Sequence, residues 1–545
     1  MSTAGPPAAG GPLLLRGGVV HTPADPFATA MVVDGDVVAW VGSDSAAATV
    51  AGPGVDVVEL RGAVVTPSFV DAHAHLTETG LARCSLDLAA VRSADELLEA
   101  VAAASVDRRG PLLGHGWDDT DWPQPGLPTR EQLDRAAAGA AVYLARVDVH
   151  SALVSTAMVD LVPGVLAADG WDSSGPVTRA AHALVRRASR DTLRTRRRRA
   201  LQADALAAAA AVGIGQVHEM AAPHIGGPDD LAELLAWTRQ GAVPRVVGYW
   251  GALGETALAR ELGARGCAGD LCVDGALGSR TAALRDPYTD APNSRGALYL
   301  DVDTATAHLV ACTDAGLQAG FHVIGDAAVH VAVEALRRAA ARCGRSAVLA
   351  ARHRLEHVEM ADDGAVEALA ELGVVASVQP AFDAAWGGSD GMYAQRLGPV
   401  RAATLNPFAT LSRAGVTMAF GSDSPVTPFD PWGSVRAAAR HHVAGQRLTA
   451  RAAFSAHTRG GWRAAGRDDG GVLAPGAPAD YCVWEVPGDL VVQTPDSRVA
   501  SWSTDPRAGV PGLPDLDAPT PRCLQTVVGG RAVHTAPDAP AASRP

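Results

Sequence analysis

The 545-residue chain contains no lysine, and all 46 of its basic residues are arginine. Together with the abundance of alanine and glycine, this points to a GC-rich coding bias, so an arginine alone is weak ground for a functional reading. Basic charge is short overall, because 59 acidic residues leave a net charge of −13. That balance, with aromatics at only 5% and no aromatic–basic strip, excludes nucleic acid and an acidic membrane face as expected partners. Seven cysteines (Cys84, Cys267, Cys272, Cys312, Cys343, Cys482 and Cys523) are scattered, odd in number and form no CxxC. A disulfide framework and a structural zinc knot are thereby excluded. No apolar run approaches the roughly 20 residues of a membrane helix. The opening MSTAGPPAAGGPLLLRGG lacks the positive n-region of a secretory signal, so a reducing cytoplasm is the expected setting. What is present is a core-forming composition, 48% hydrophobic and 19% charged. The length allows about three or four domains, or one large barrel with additions.

Residues 12–68 read as short strands punctuated by turns such as DGD, and the same grain returns at 471–486 and 524–535. One small β-sandwich domain built from both chain ends is expected, from 1–68 and 466–545. Between them, over 69–465, short apolar strands alternate with alanine-rich helices, the pattern of a parallel α/β fold. Eight candidate strands lie at 64–75, 213–220, 244–250, 271–277, 317–325, 353–360, 373–380 and 416–425. That number is what a (β/α)8 TIM barrel needs. The segment of about 80–205 is then an insertion after strand one, with strands of its own at 110–119 and 140–150. The arginine-rich stretch 186–211 reads as one long helix with its arginines in solvent.

Strand one ends in Asp71-Ala72-His73-Ala74-His75. Residues two apart on a strand face the same way, so His73 and His75 present two imidazoles to one point at the barrel's C-terminal mouth. Imidazole is a preferred ligand of zinc and similar metals. Further ligand types stand at other strand ends: His322 in GFHVIGDAA, His357 in RLEHVEM and Asp423 in FGSDSP. Each alone is equally a hydrogen-bonded core histidine or a helix-capping aspartate. Five at matching strand ends converge on a metal centre.

These motifs, with PSFVDAHAHL, GHGWDDTDWP, RVDVHSALV, VDGALGSRTAAL, VVASVQP and GVLAPGAPADYCV, give the chain its resemblance to a known group. From about residue 12 to 535 it resembles the amidohydrolase superfamily, and most closely the third amidohydrolase family with its N-substituted formamide deformylase-like branch. The resemblance implies a metal-dependent hydrolase with His73, His75, His322, His357 and Asp423 around a divalent ion, expected to be zinc. Many relatives add a carboxylated lysine on strand four that bridges two metals. Here that position is Asp270, and a lysine-free chain cannot form the bridge. Three arrangements remain: a single metal on the histidines and Asp423, Asp270 as a direct bridging carboxylate, or recruitment of Glu219 at the end of strand two. One ion is favoured over two, and Asp270 reads equally well as a surface residue at the strand entrance.

The resemblance implies hydrolysis of a non-peptide amide of a small molecule, such as an N-substituted formamide. The metal acidifies water and polarises the carbonyl, and Asp423 carries the proton from water to the leaving amine, with His357 beside it. Trp117, Asp118, Trp122, His150 and Arg280 are the candidate substrate contacts, the indoles against an apolar N-substituent. Deamination or cyclic-amide opening is the alternative chemistry, and a metal-free binding scaffold the alternative outside enzymes. No membrane or nucleic-acid partner is expected, and a homo-oligomer is compatible with the sequence.

Overall fold

The computed structural model describes residues 11–50, 55–105, 110–191, 193–493, 502–503 and 511–543. Its central sheet has eight parallel strands, each paired to its neighbour in the chain. They are β1 (Phe69–Ala74), β2 (Ile214–Ala221), β3 (Arg245–Trp250), β4 (Gly266–Cys267), β5 (Gln318–Val323), β6 (Arg354–His357), β7 (Val375–Val378) and β8 (Thr417–Phe420). The ends of β1 and β8 meet through an Ala74–Ser424 bridge. Beside it the Asp423 N–H donates to His73 O and the His75 N–H to Ser424 O. The sheet thus closes as a (β/α)8 barrel with helices outside. Every residue of β1, β2 and β5 is buried, because a barrel strand is covered by helices on one face and packed side chains on the other.

Two strand expectations need correction. The run 64–75 is two strands: Val64–Pro67 pairs with Tyr481–Glu485 in a different sheet, and the barrel strand starts at Phe69. The fourth strand is the two-residue Gly266–Cys267, upstream of the expected 271–277. That apolar run is irregular backbone touching β5 at a Cys272–His322 bridge. It is tied down by buried Asp274, which accepts from the N–H groups of Ala283, Ile324 and Gly325.

Between β1 and β2 stands a five-stranded sheet, in the order Val177–Thr178, Ser151–Val154, Val142–Arg146, Leu112–Trp117 and Leu86–Asp87, with an apolar cluster on each face. The arginine-rich stretch is two helices, Arg179–Asp191 and Thr195–Ala211. Arg196, Arg197 and Arg199 are exposed as expected, but Arg186 is buried. Strands from both ends of the chain form two further five-stranded sheets around a shared core that includes Leu15, Val33, Val65, Tyr481 and Val527. No helix among the described residues is long and apolar enough to cross a membrane.

Candidate metal centre and active site

The five ligand-type residues read from the strand ends come together at the C-terminal mouth. His73 sits on β1 and His75 one residue beyond it, His322 lies near the end of β5, His357 ends β6, and Asp423 follows β8. Asp270 joins them. It lies three residues past β4, facing the centre with 15% of its side chain exposed, and is not a surface residue at a strand entrance. Its Oδ1 is 3.4 Å from His73 Nε2 and 3.7 Å from His322 Nδ1, and its Oδ2 is 3.2 Å from His75 Nε2. Asp423 Oδ1 is 3.4 Å from His73 Nε2 and 3.2 Å from His75 Nε2.

The imidazoles are aimed by acceptors behind them. His73 Nδ1–H donates to Glu356 Oε2 at 2.9 Å and His357 Nδ1–H to Gln379 Oε1 at 2.8 Å. His322 Nε2–H donates to Gly275 O at 3.3 Å. Oxygens that only accept fix the tautomer, so each ring turns its lone pair toward the centre, the arrangement typical of metal-ligating histidines. His73 Nε2, His357 Nε2 and Asp270 Oδ1 are buried without any hydrogen-bond partner. Orphaned lone pairs of this kind are rare in a protein interior unless something else satisfies them. Ligand atoms of His73, His357 and Asp270 lie within 4.8 Å of one another, as do ligand atoms of His73, His75 and Asp423. The residues therefore fit a bound cation.

Charge and backbone agree. Burial favours neutral imidazole, yet the carboxylates of Asp270 and Asp423 outweigh it and push His75 up to about 9. The same histidines overcome the burial penalty on Asp423 and Asp270 and hold both well below the usual carboxylate range. His357 and Asp423 have φ of 69° and 55°, a left-handed conformation unusual for non-glycine residues. Close approach helps to assemble the mouth: a Cβ on Gly421 would lie 2.5 Å from the His73 N atom.

Behind the centre, Arg354 Nε and Nη2 donate to Glu356 at 2.5 and 2.9 Å, both charges being buried. Burial would raise Glu356, but Arg354 and His73 hold it down to about 2. Asp71 accepts the N–H groups of His73 and Ser422, joining the ends of β1 and β8. Glu219 is turned away from the donor groups and accepts the Leu76 N–H at 2.7 Å, fixing the first turn after β1. Burial pushes its carboxyl up to about 7.

Two cavities adjoin the centre, and His150 lines both. One, of about 360 Å³, runs along Asp270, Arg186, His182, His224 and Tyr299. The other is a narrow cleft of about 30 Å³ beside His322, His357, Asp423 and Glu359. Its wall is aromatic: Phe382 stacks on His357 with ring centroids 5.9 Å apart and Trp386 stands 5.0 Å from Phe382. The expected indoles are elsewhere. Trp117 and Trp122 belong to the insertion's own core, where Trp117 Nε1–H donates to Leu144 O. Asp118 is held by Arg146. Arg280 pairs with Asp290 at 2.7 Å, 37% exposed, and lines neither cavity. Of the expected substrate contacts only His150 reaches the cavities. Phe382 and Trp386 were missed, although they stand on the helix Pro380–Trp386 that directly follows β7 on the active face.

A closed (β/α)8 barrel with a histidine–aspartate cluster at its mouth defines the class of metal-dependent barrel hydrolases. The sequence profile of the amidohydrolase family matches residues 56–534. The chain belongs to that family and is a hydrolase of carbon–nitrogen bonds. YtcJ of Bacillus subtilis (strain 168) is 28% identical over 408 residues, covering 70% of this chain and 74% of YtcJ. The N-substituted formamide deformylase of Arthrobacter pascens is 24% identical over 464 residues, 77% of this chain and 82% of the deformylase. An uncharacterized metal-dependent hydrolase from Pyrococcus furiosus superposes with a TM-score of 0.67 at 29% identity, covering 87% of this chain and 98% of that one.

Proposed function

We propose that the protein hydrolyses the amide bond of a small non-peptide molecule, of the N-substituted formamide type, at a single zinc ion. The observation that carries this reading is the set of unpartnered buried lone pairs, on His73 Nε2, His357 Nε2 and Asp270 Oδ1, converging beside Asp423. His73 and His75 each lie 3.2–3.4 Å from both Asp270 and Asp423, and these four residues together with His357 would hold the ion, with a position left open for water. When bound, the metal supplies Lewis acidity toward water and the substrate carbonyl.

The chain's own groups do the rest. Asp423, ionised at neutral pH, accepts a proton from the attacking water and returns it to the leaving nitrogen. His150, which burial and neighbouring His322 hold neutral with a pKa down to about 4, offers an N–H to the carbonyl oxygen as charge develops there. His357, fixed by Gln379, stands between that oxygen and the aromatic cleft. Phe382 and Trp386 form an apolar wall beside the reacting carbon, the 360 Å³ cavity has the room for the N-substituent, and the 24% identical deformylase is in keeping with such a substrate.

The test is formate release from a panel of N-substituted formamides by zinc-loaded protein, alongside metal content per chain. About one zinc and turnover abolished in Asp423→Asn, by at least about 100-fold, are expected. Zinc-loaded, folded protein that cleaves no formamide or other simple amide would overturn the reading.

A further inference from the structure

Glu78 lies on the helix Leu76–Cys84 that leads directly away from the metal-ligand strand, and it is buried. Arg190 of the insertion already satisfies both its oxygens, Nε–H to Oε1 at 2.9 Å and Nη2–H to Oε2 at 2.5 Å. A second guanidinium crowds the same carboxylate: Arg186 Nη2 is 3.3 Å from Oε2, with only 6% of the side chain exposed. Yet Arg186 Nε and Nη2 are buried without a hydrogen-bond partner. Two arginines on one glutamate leave one positive charge over.

Among the described residues, no other group facing that charge cancels it. Burial lowers His182 well below its ordinary value, and His224 and His115 to about 4, so these neighbours are neutral. Arg179 at the rim is paired bidentately with Asp169. Asp270, across the cavity, is engaged by His73, His75 and His322. An uncompensated buried charge is costly for a fold to keep. Arg186 is among the residues lining the 360 Å³ cavity that Asp270 also lines, so the surplus charge stands beside the hydrolytic centre. A guanidinium edge is shaped for a carboxylate, and one surplus charge matches an anion of charge −1.

We infer that the amide's substituent carries a carboxylate and that Arg186 receives it, the scissile bond reaching the centre across the cavity between Arg186 and Asp270. This rests on the amide-hydrolase reading and narrows it to anionic amides. Arg186 is then a specificity residue that touches the substrate but not the reacting atoms.

The test has two parts. Pairs of formamides differing only in a carboxylate on the N-substituent are compared for wild type and Arg186→Met. Wild type favours the carboxylated member, and the ratio of kcat/KM values falls by about 10- to 100-fold in the variant, the contribution of a charge-assisted hydrogen-bonded pair. Separately, benzoate binding to zinc-loaded protein is measured by calorimetry, which needs no turnover. Loss of benzoate binding in Arg186→Met, together with a raised Tm of the ligand-free variant because the surplus charge is gone, supports the inference even if no amide is cleaved. That last result would sink the hydrolase reading alone. Benzoate bound equally by both proteins, or by neither, overturns the assignment of Arg186. So does a lowered Tm with an unchanged substrate ratio, which marks a merely structural ion pair.

Discussion

Replacing Glu356 by glutamine perturbs the centre from behind without touching a metal-facing atom. The side chain keeps its shape, but one of its two acceptor oxygens becomes a donor. As a carboxylate it receives three hydrogen bonds, two from Arg354 and one from His73 Nδ1. As an amide it must turn an N–H toward either the imidazole or the guanidinium. Two separate losses follow. Removing one partner of a buried ion pair costs about 3–5 kcal/mol, because Arg354 keeps its charge with 0% of its side chain exposed. Losing the carboxylate behind a ligating histidine lowers metal affinity by about 10- to 100-fold, or about 1.4–2.7 kcal/mol. Chemical denaturation of metal-free protein reads the first, and zinc titration against a chromophoric chelator reads the second. A double variant, Glu356→Leu with Arg354→Met, separates them. It removes both charges together and regains most of the stability, but His73 still lacks its acceptor and zinc affinity stays low. Wild-type zinc affinity in Glu356→Gln, or its recovery in the double variant, would refute the idea that Glu356 aims His73.

Gly421→Ala places a Cβ 2.5 Å from His73 N and 2.8 Å from its Cβ. The overpacking costs about 1–3 kcal/mol and displaces His73, so Tm and zinc content fall together. His457 is buried, donates from Nδ1 to Val70 O, and is held at about 4 against an ordinary 6.5, chiefly by burial. A lowered histidine stabilises fully above pH 6.5 and loses that contribution as pH falls through 4. The difference is about 3 kcal/mol. Denaturation midpoints from pH 7 to 4 should fall less steeply in His457→Gln than in wild type, and identical slopes would count against a neutral buried His457. Chelator treatment should lower Tm, and zinc at a thousandfold over Kd should restore about 4 kcal/mol. A melting curve indifferent to zinc would contradict a cation at the histidine cluster.

Seven of the eight barrel strands were legible because a strand buried on both faces writes itself as an apolar run closed by a turn. The exception is instructive. LCVDGAL has the look of such a strand, but Gly266–Cys267 carries the pairing, and the apolar run is buried by side-chain packing and by Asp274 rather than by a ladder. Hydrophobicity reports burial, not hydrogen-bonding partners. His73, His75, His322, His357 and Asp423 were legible for a related reason, since a polar residue at the end of an apolar run has little purpose in a core. Glu356 was hidden because its partner His73 is 283 residues away. The indoles of GHGWDDTDWP misled because a small inserted sheet needs a core of its own. Arg186 looked like one more solvated arginine in a run of them, and only the folded chain shows that Glu78 is already taken.

Asp270 sets this centre apart in how it can be assembled. A lysine becomes a metal-bridging carboxylate only by capturing carbon dioxide, and it reverts when the adduct is lost. Here the carboxylate amid the three histidines, 3.2–3.7 Å from each, is translated with the chain. Its supply does not depend on dissolved bicarbonate, and acid cannot strip it as a labile adduct. Stripped protein should therefore recover in degassed buffer as fast as in carbonate, given the ion alone.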